Sequence, residues 1–534
     1  MNVAFDPWIP VVTITGERTL VSLCSVLTEG EKYADLAVRP HERVSLMRLF
    51  LCVAHAALDG PKDYDEWEQV PKKLPDAAWN YLKEWKDSFE LFHPTKPWLQ
   101  VAGLNILPKE KGKDTDVEKE WASLAKLSFI RASGNNSTLF DHESNGGEER
   151  PWADHEIALA LLTFQNFFVA GGKASSRLWG SLEIKNPPNP KGGPCAGKSI
   201  LFTFIRGENL ASSLHLNLSS YEDLQYLYGG AGYWLGKPLW AVPIAGPQDV
   251  ESLNNATRTH LGRLVPQTRM LRIHKGKTSV LLGPGFEYPK FQDENNTFNP
   301  DVFATIVAAE GGQRVLLSAR PNRALWRELH SLTVRQKSST DIGHGPLCLR
   351  NLPEKSSCDL IVNAMVTNPQ QAAELVNLME SVFHIPPQLF TSNGTASYEA
   401  EVHKAESTAR RLGWAIEDYR MEIDGGWEGR LKGAGPKSGE LKAKLHSIAT
   451  THYWTSSEKN LSLLMAHIEA IGTSEAMPTR EAWRKMLFAT ACDAYRVACG
   501  QETPRQIRAF AKGWQKLTAK KEEVMTTETK EVVA

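Results

Sequence analysis

Residues 398–423 read YEAEVHKAESTARRLGWAIEDYRMEI, and the chain changes character there. Small and apolar residues recur at helical spacing among charges, the pattern of an amphipathic helix. Three stretches downstream repeat it: residues 438–472, residues 479–500 (TREAWRKMLFATACDAYRVACG) and residues 503–520 (TPRQIRAFAKGWQKLTAK). Thr479, and Thr503 followed by Pro504, stand where helix starts place a cap and a first-turn proline. Amphipathic helices joined by short links predict an antiparallel four-helix bundle over 386–520. The polar residues 521–534 read as a flexible tail.

Upstream the pattern is mixed. VVTIT and RTLVSL read as short strands, and a helix follows from about Arg43 to Leu58. There Val44, Leu46, Met47, Leu49, Phe50 and Val53 recur at helical spacing. AAWNYLKEWKDSFELF (77–92) predicts a second helix that ends before Pro94. Residues 128–149 are rich in Gly, Asn, Ser and acid and read as a long loop. HEIALALLTFQNFF (155–168) returns to helix and leads into FFVAGGKASS (167–176). KNPPNPKGGPCAGK (185–198) reads as an irregular insert before the strand ILFTFIRG. The fold class is therefore α+β: a large mixed α/β domain over 1–385, then helices.

Composition narrows the class. The chain has 534 residues, 42% hydrophobic and 23% charged, enough to bury a sizeable core. By length it holds roughly three to four domains, or two large ones. LMRLFLCVAHAAL (46–58) is interrupted by Arg48 and His55, so it predicts no membrane span. No basic segment precedes an apolar one at the start, and no signal peptide is visible. Cys24, Cys52, Cys195, Cys348, Cys358, Cys492 and Cys499 form no CxxC pair, which fits the reducing cytoplasm. Cys492 and Cys499 sit seven apart on an expected helix and are expected to face its core.

Net charge is −1, but it is unevenly spread. Between Ser252 and Phe286 no acid occurs, while Arg258, Arg263, Arg269, Arg272, Lys275 and Lys277 do. Between Lys173 and Arg206 six basic residues face one acid, Glu183. Such strips fit a polyanion on one face, or a solvated surface balanced by acids elsewhere. Gly171-Gly172-Lys173 lacks the spacing of a phosphate-binding GxxxxGK[ST] loop. Asp141-His142 and Asp154-His155 are the doublets a metal-dependent phosphohydrolase would need, together with further ligands. Asn368-Pro369-Gln370-Gln371 reads as a helix N-terminus, with Asn368 as cap; exposed amides beside a proline can also address base edges.

Taken in order, FDPWIPV (5–11), RPHERVSLMRLFLCVAHAAL (39–58), FELFHPTKPWLQV (89–101), SGNNSTLFDH (133–142), LLTFQNFFVAGG (161–172), GRLVPQTRMLRI (262–273), NRALWRELH (322–330) and HYWTSSEKNLSLL (452–464) resemble the CasA family. This is the large subunit of the type I-E CRISPR Cascade complex, and the resemblance spans nearly the whole chain. It implies a mixed N-terminal domain with a C-terminal four-helix bundle, no catalysis, no cofactor and no metal. Implied partners are the 5′ handle of a CRISPR guide RNA, double-stranded target DNA and the backbone, handle-binding and small Cascade subunits. A helicase–nuclease recruited after R-loop formation completes the set, with no membrane involved. The helical bundle would lie along the displaced strand or the neighbouring small subunits.

The resemblance also assigns residues. A glycine loop that probes the minor groove of the protospacer-adjacent motif (PAM) falls on Ala170, Gly171, Gly172 and Lys173, where bare backbone can approach base edges. Val169-Ala170 stands where relatives carry a longer glycine run. A PAM-proximal lysine falls on Lys290, or with a shifted register on Tyr288. A glutamine wedge that parts the first base pairs falls on Asn368, Pro369, Gln370 and Gln371, with Gln370 or Gln371 as the amide. Docking on the guide-RNA handle falls on Asn135, Asn136 and Phe140, the last as a stacking ring. Arg263, Gln267, Arg269 and Arg272 would lie near phosphates or pack inside the domain.

Overall fold

The computed structural model describes residues 1–108, 120–130, 151–170, 174–197, 199–228, 235–289, 301–308, 313–335, 343–353, 355–368, 375–424 and 436–519. It divides into two compact units, Met1–Ile385 and Pro386–Ala534. Helices and strands are both present, the α+β class expected. Among the described residues no helix is long and apolar enough to cross a membrane.

The first unit is built around α2 (Pro40–Leu58), which follows β1 (Ile9–Thr13), β2 (Arg18–Val21), α1 (Leu23–Thr28) and β3 (Tyr33–Leu36). Pro40 opens α2, and Glu42 accepts the Arg39 backbone N–H at 2.8 Å. Val44 through His55 are buried on every face, so α2 is a central helix rather than a surface one. The charge that interrupts its apolar run is satisfied internally: Arg48 pairs with Asp301 at 2.5 Å and donates to the Arg263 carbonyl at 2.7 Å. The next helix, α3 (Tyr64–Glu84), starts well before the expected residue 77. It runs through Pro71 and Pro75 because Trp67, Val70, Leu74, Ala78 and Leu82 bury a stripe at helical spacing.

Antiparallel sheets surround α2 and α4 (Asp154–Phe167). The order β2–β1–β3 is joined by β4 (Leu104–Ile106) with β6 (Arg177–Trp179) and β7 (Leu182–Ile184), and by β5 (Trp121–Ser123) with β10 (Ser279–Gly285) and β9 (Arg269–Ile273). A small pair is β11 (Ile306–Ala308) with β12 (Arg314–Leu316). The longest sheet sets β13 (Cys358–Thr367) between β8 (Phe202–Arg206) and β14 (Leu375–Ile385). Short helices α5 (Leu210–Asn217), α6 (Tyr221–Tyr228), α7 (Val250–Arg258), α8 (His260–Leu264) and α9 (Leu329–Leu332) fill the connections.

One expectation is overturned here. The helix expected after Asn368 does not continue past residue 374: Asn368 follows β13, and Leu375–Ile385 is the strand β14, with Thr367 opposite Leu375. The Ala, Glu and Leu after the glutamines favour helix locally. However, β13 is buried on both faces, and its backbone groups need a partner strand on each side. Arg43 of α2 fastens this hairpin, bonding Glu380 at 2.8 Å and Asp35 of β3 at 2.5 Å.

Among its described residues the second unit contains α10 (Ser392–Ile423), α11 (Pro436–Lys459), α12 (Leu461–Glu469), α13 (Ala476–Ala498) and α14 (Pro504–Thr518). Thr503 caps α14 through the Gln506 N–H, as its sequence predicts. Thr479 is not a cap: α13 begins at Ala476, and the Thr479 hydroxyl donates back to the Glu475 carbonyl at 2.6 Å. Gly513 of α14 lies flush on α10, where an added Cβ would meet the Ala415 carbonyl oxygen at 2.4 Å. Cys492 and Cys499 are both buried.

Candidate nucleic-acid interface

Gly171, Gly172, Lys173, Lys290, Pro369, Gln370, Gln371, Asn135, Asn136, Phe140, Asp141 and His142 lie outside the described residues. The segments that carry them have described roots. Ala170 is exposed at the end of the segment after α4, and Asn368 is half-buried at the end of β13.

The last turn of α4 carries two fully buried amides, Gln165 and Asn166. The Gln165 side chain donates to the carbonyls of Leu99 at 3.2 Å and Arg269 at 3.0 Å, and accepts the Arg269 N–H at 2.9 Å. Thr268 donates its hydroxyl to the Gln165 carbonyl at 2.5 Å. The Arg269 guanidinium lies 4.8 Å from the centre of the Phe168 ring and donates twice to the Gly283 carbonyl, at 3.0 and 2.7 Å. The exit from α4 is thus riveted to β9 and β10.

The Lys290 segment leaves from the same place. Phe286 N–H donates to the Thr268 carbonyl at 2.9 Å, and the Tyr288 hydroxyl accepts the Gln267 N–H at 2.9 Å. Tyr288 is buried, and burial raises its phenol above the usual range. It is an interior anchor, so the shifted register that would place it on DNA does not hold. The root of the 131–150 segment is held at both ends: Phe129 stacks 6.5 Å from Phe164 of α4, and Trp152 N–H donates to the carbonyl of Lys277, between β9 and β10, at 3.0 Å.

The basic strip is divided: two of its six cations between Ser252 and Phe286 are interior. Arg263 and Arg269 are buried, which decides for packing over phosphate contact at both positions, and Gln267 is buried beside them. Arg269 is held by carbonyls rather than acids, and burial pushes its guanidinium down to about 10. Arg272 reaches the edge, bonding Asn105 at 2.9 Å and lying 5.4 Å over Trp121. Arg258, Lys275 and Lys191 are exposed. Of the metal doublets, Asp154 is engaged by Lys277 at 2.5 Å.

The Pro/Gly insert, irregular as its sequence predicts, buttresses these roots. Gly193 N–H donates to the Phe168 carbonyl at 2.8 Å, and Cys195 N–H to the Asn166 carbonyl at 3.1 Å. Ser199 accepts the Thr367 N–H on its hydroxyl at 3.2 Å. The signals available were the polar pair Gln165-Asn166 inside an apolar helix and the Gly192-Gly193 doublet.

The profile of the family described as "CRISPR-associated protein Cse1" matches residues 2–494. The chain belongs to this family. It is 27% identical over 533 residues to the CasA/Cse1 protein of Thermus thermophilus, covering 96% of each chain. The fold is similar to the crystal structure of Thermus thermophilus CasA, with a TM-score of 0.71 at 21% identity, covering 97% of this chain and 98% of that one. It is likewise similar to Cse1 of Acidimicrobium ferrooxidans, with a TM-score of 0.72 at 20% identity, covering 97% and 96%. A chain of a CRISPR RNA-guided surveillance complex matches with a TM-score of 0.66 at 19% identity, covering 97% and 99%.

Proposed function

We propose that this protein is the non-catalytic large subunit of a type I-E RNA-guided surveillance complex that reads the PAM of double-stranded DNA. One observation carries the reading: the segments holding Gly171-Gly172-Lys173, Lys290 and Gln370-Gln371 all leave from one hydrogen-bonded root, formed by residues 165–168, 193–197, 199–200 and 267–269. A rigid root beneath several polar tips suits a device that reads a groove and then opens it. The guide RNA reads sequence by pairing, while the protein reads the PAM. Ala170 to Lys173 enter the minor groove, with Lys290 beside them, and Gln370 or Gln371 parts the first base pairs. Asn135, Asn136 and Phe140 dock on the guide-RNA handle, and the opened duplex licenses a separate helicase–nuclease.

Gly171→Asp tests this directly, since a carboxylate in the groove adds bulk and repels phosphates. The assembled complex should keep its subunits and lose PAM-dependent binding by about a hundredfold, roughly 2.7 kcal/mol. Unchanged discrimination between PAM-bearing and PAM-less duplex in a gel shift would sink the reading.

A further inference from the structure

The first unit holds a cavity of about 310 Å³, walled by the chain around Trp98, the end of β6, residues 239–245 and Gln267. Three indoles line it, and each is fixed by another ring. Trp98 lies edge-on to Trp8 at 6.0 Å and Trp179 edge-on to Phe286 at 6.3 Å. Trp240 sits 5.0 Å from Phe89 and donates its indole N–H to the Tyr81 hydroxyl at 2.7 Å. One lining residue is charged, Lys96, which is exposed and makes no ion pair among the described residues. Gln267 is 6% exposed, and its main-chain N–H is held by the Tyr288 hydroxyl at 2.9 Å. Its side-chain amide bonds no described group, yet neither polar atom is sealed in the protein, unlike the unpaired N–H of Trp98. The donor and the acceptor of this amide therefore open on the cavity.

We propose that this cavity binds one unpaired adenine nucleotide, with Gln267 reading the base, the indoles packing on its faces and Lys96 meeting its phosphate. This goes beyond the function proposed above and does not depend on it, since it needs neither a duplex nor a PAM. A carboxamide offers a donor beside an acceptor, and that pair matches the N7 and the N6 amino group of adenine. Guanine presents two acceptors on the same edge, which suit Arg or Lys instead. Indole faces stack bases of any identity, so the walls supply affinity and the amide supplies choice. No acid lines the cavity to repel a phosphate at Lys96. The volume lies at the small end of ligand sites, suited to one nucleotide and not to a base pair. An apolar side chain of a partner protein would fill the indole walls but leave the Gln267 amide unpaired.

The test titrates the full chain by calorimetry with AMP, CMP and adenosine, and with a short thymine strand carrying one adenine. AMP should bind once per chain, about tenfold tighter than CMP and about fivefold tighter than adenosine. Gln267→Leu keeps the bulk without the amide and should erase the preference for AMP over CMP. Lys96→Ala should erase the preference for AMP over adenosine while the choice of base survives. Trp179→Ala should weaken every ligand about tenfold; if it does not fold, the other two variants decide, since neither side chain holds a described bond. Tighter binding of the adenine-bearing strand than of AMP assigns the site to an unpaired base in a strand, and binding of AMP alone assigns it to a free nucleotide. Either outcome supports the proposal. Absence of all nucleotide binding overturns it, as do preferences unchanged in both Gln267→Leu and Lys96→Ala. It also fails if nucleotides do not bind while Trp179→Ala releases a partner subunit from the assembled complex, which would assign the cavity to a protein side chain.

Discussion

In Met1–Ile385 the buried Arg48, Arg177 and Arg269 all donate to main-chain carbonyls, the first two beside an acid, Asp301 or Glu120, whereas in Pro386–Ala534 a buried carboxylate is held by arginine side chains. Arg48 donates to Arg263 and Leu264, Arg269 to Gly283 and Arg177 to Leu282. Glu401 of α10 is 1% exposed and binds Arg480 at 2.8 Å and Arg484 at 2.6 Å, both from α13. The backbone explains the contrast. Helices use their interior carbonyls in their own hydrogen bonds, so a charge between helices needs an opposite charge. The short strands and irregular turns of the first unit leave carbonyls free to accept. At Arg269 a cation held by a carbonyl rigidifies a loop root without an acid that would repel a polyanion.

The sharpest way to break this comparison is Arg48→Met. It leaves Asp301 and two carbonyls of the first unit without their donor, and should cost about 3–5 kcal/mol in denaturant unfolding. A loss below about 1 kcal/mol would show that carbonyl-held arginines are dispensable.

A pH titration sharpens it next. Burial pushes His41 down to about 4, from its ordinary 6.5, between Phe129 and Phe167. A depressed folded value means stability that is complete above the unfolded value and lost as pH falls toward 4. Parent and His41→Leu should therefore differ by about 2 kcal/mol more at pH 7 than at pH 5, the variant losing less on acidification. Equal losses would overturn the assignment. The second unit responds lower: burial opposes the Glu401 charge, but bonds from Arg484 and Arg480 outweigh it and hold its carboxyl below 4.5. Its contribution is lost only as pH falls through that lowered value.

The smallest change is Glu401→Gln. It keeps an acceptor for arginines whose side chains are each 36% exposed and can turn to solvent. A cost of about 1–2 kcal/mol is expected, read from thermal unfolding. A cost matching that of Arg48→Met would erase the contrast between the units.

The same contrast explains what was legible before folding. Helical spacing marked α2 and the helices of the second unit because their order is local and repeats every few residues. The pairing of β13 with β14 is not legible in the sequence, since Asn368-Pro369 fits a helix start locally, or a polar tip, and pairing with β8 leaves no local mark. The basic strip was read as two alternatives, and burial selected the interior one for Arg263 and Arg269. The wholly buried Gln165 has no local signature, because its partner Arg269 lies about a hundred residues away.

By itself, then, the sequence determined the mixed and helical halves, the family resemblance and the residue types at the tips that would meet nucleic acid. Periodicity, composition and ordered motifs are local properties and survive in a string of letters. Only the tertiary structure decided where those segments are rooted, that Tyr288 and Arg269 are anchors, and that Gly193 has no room for a Cβ. Those facts depend on which carbonyl faces which donor across the folded chain, and long-range hydrogen bonds leave no period to read.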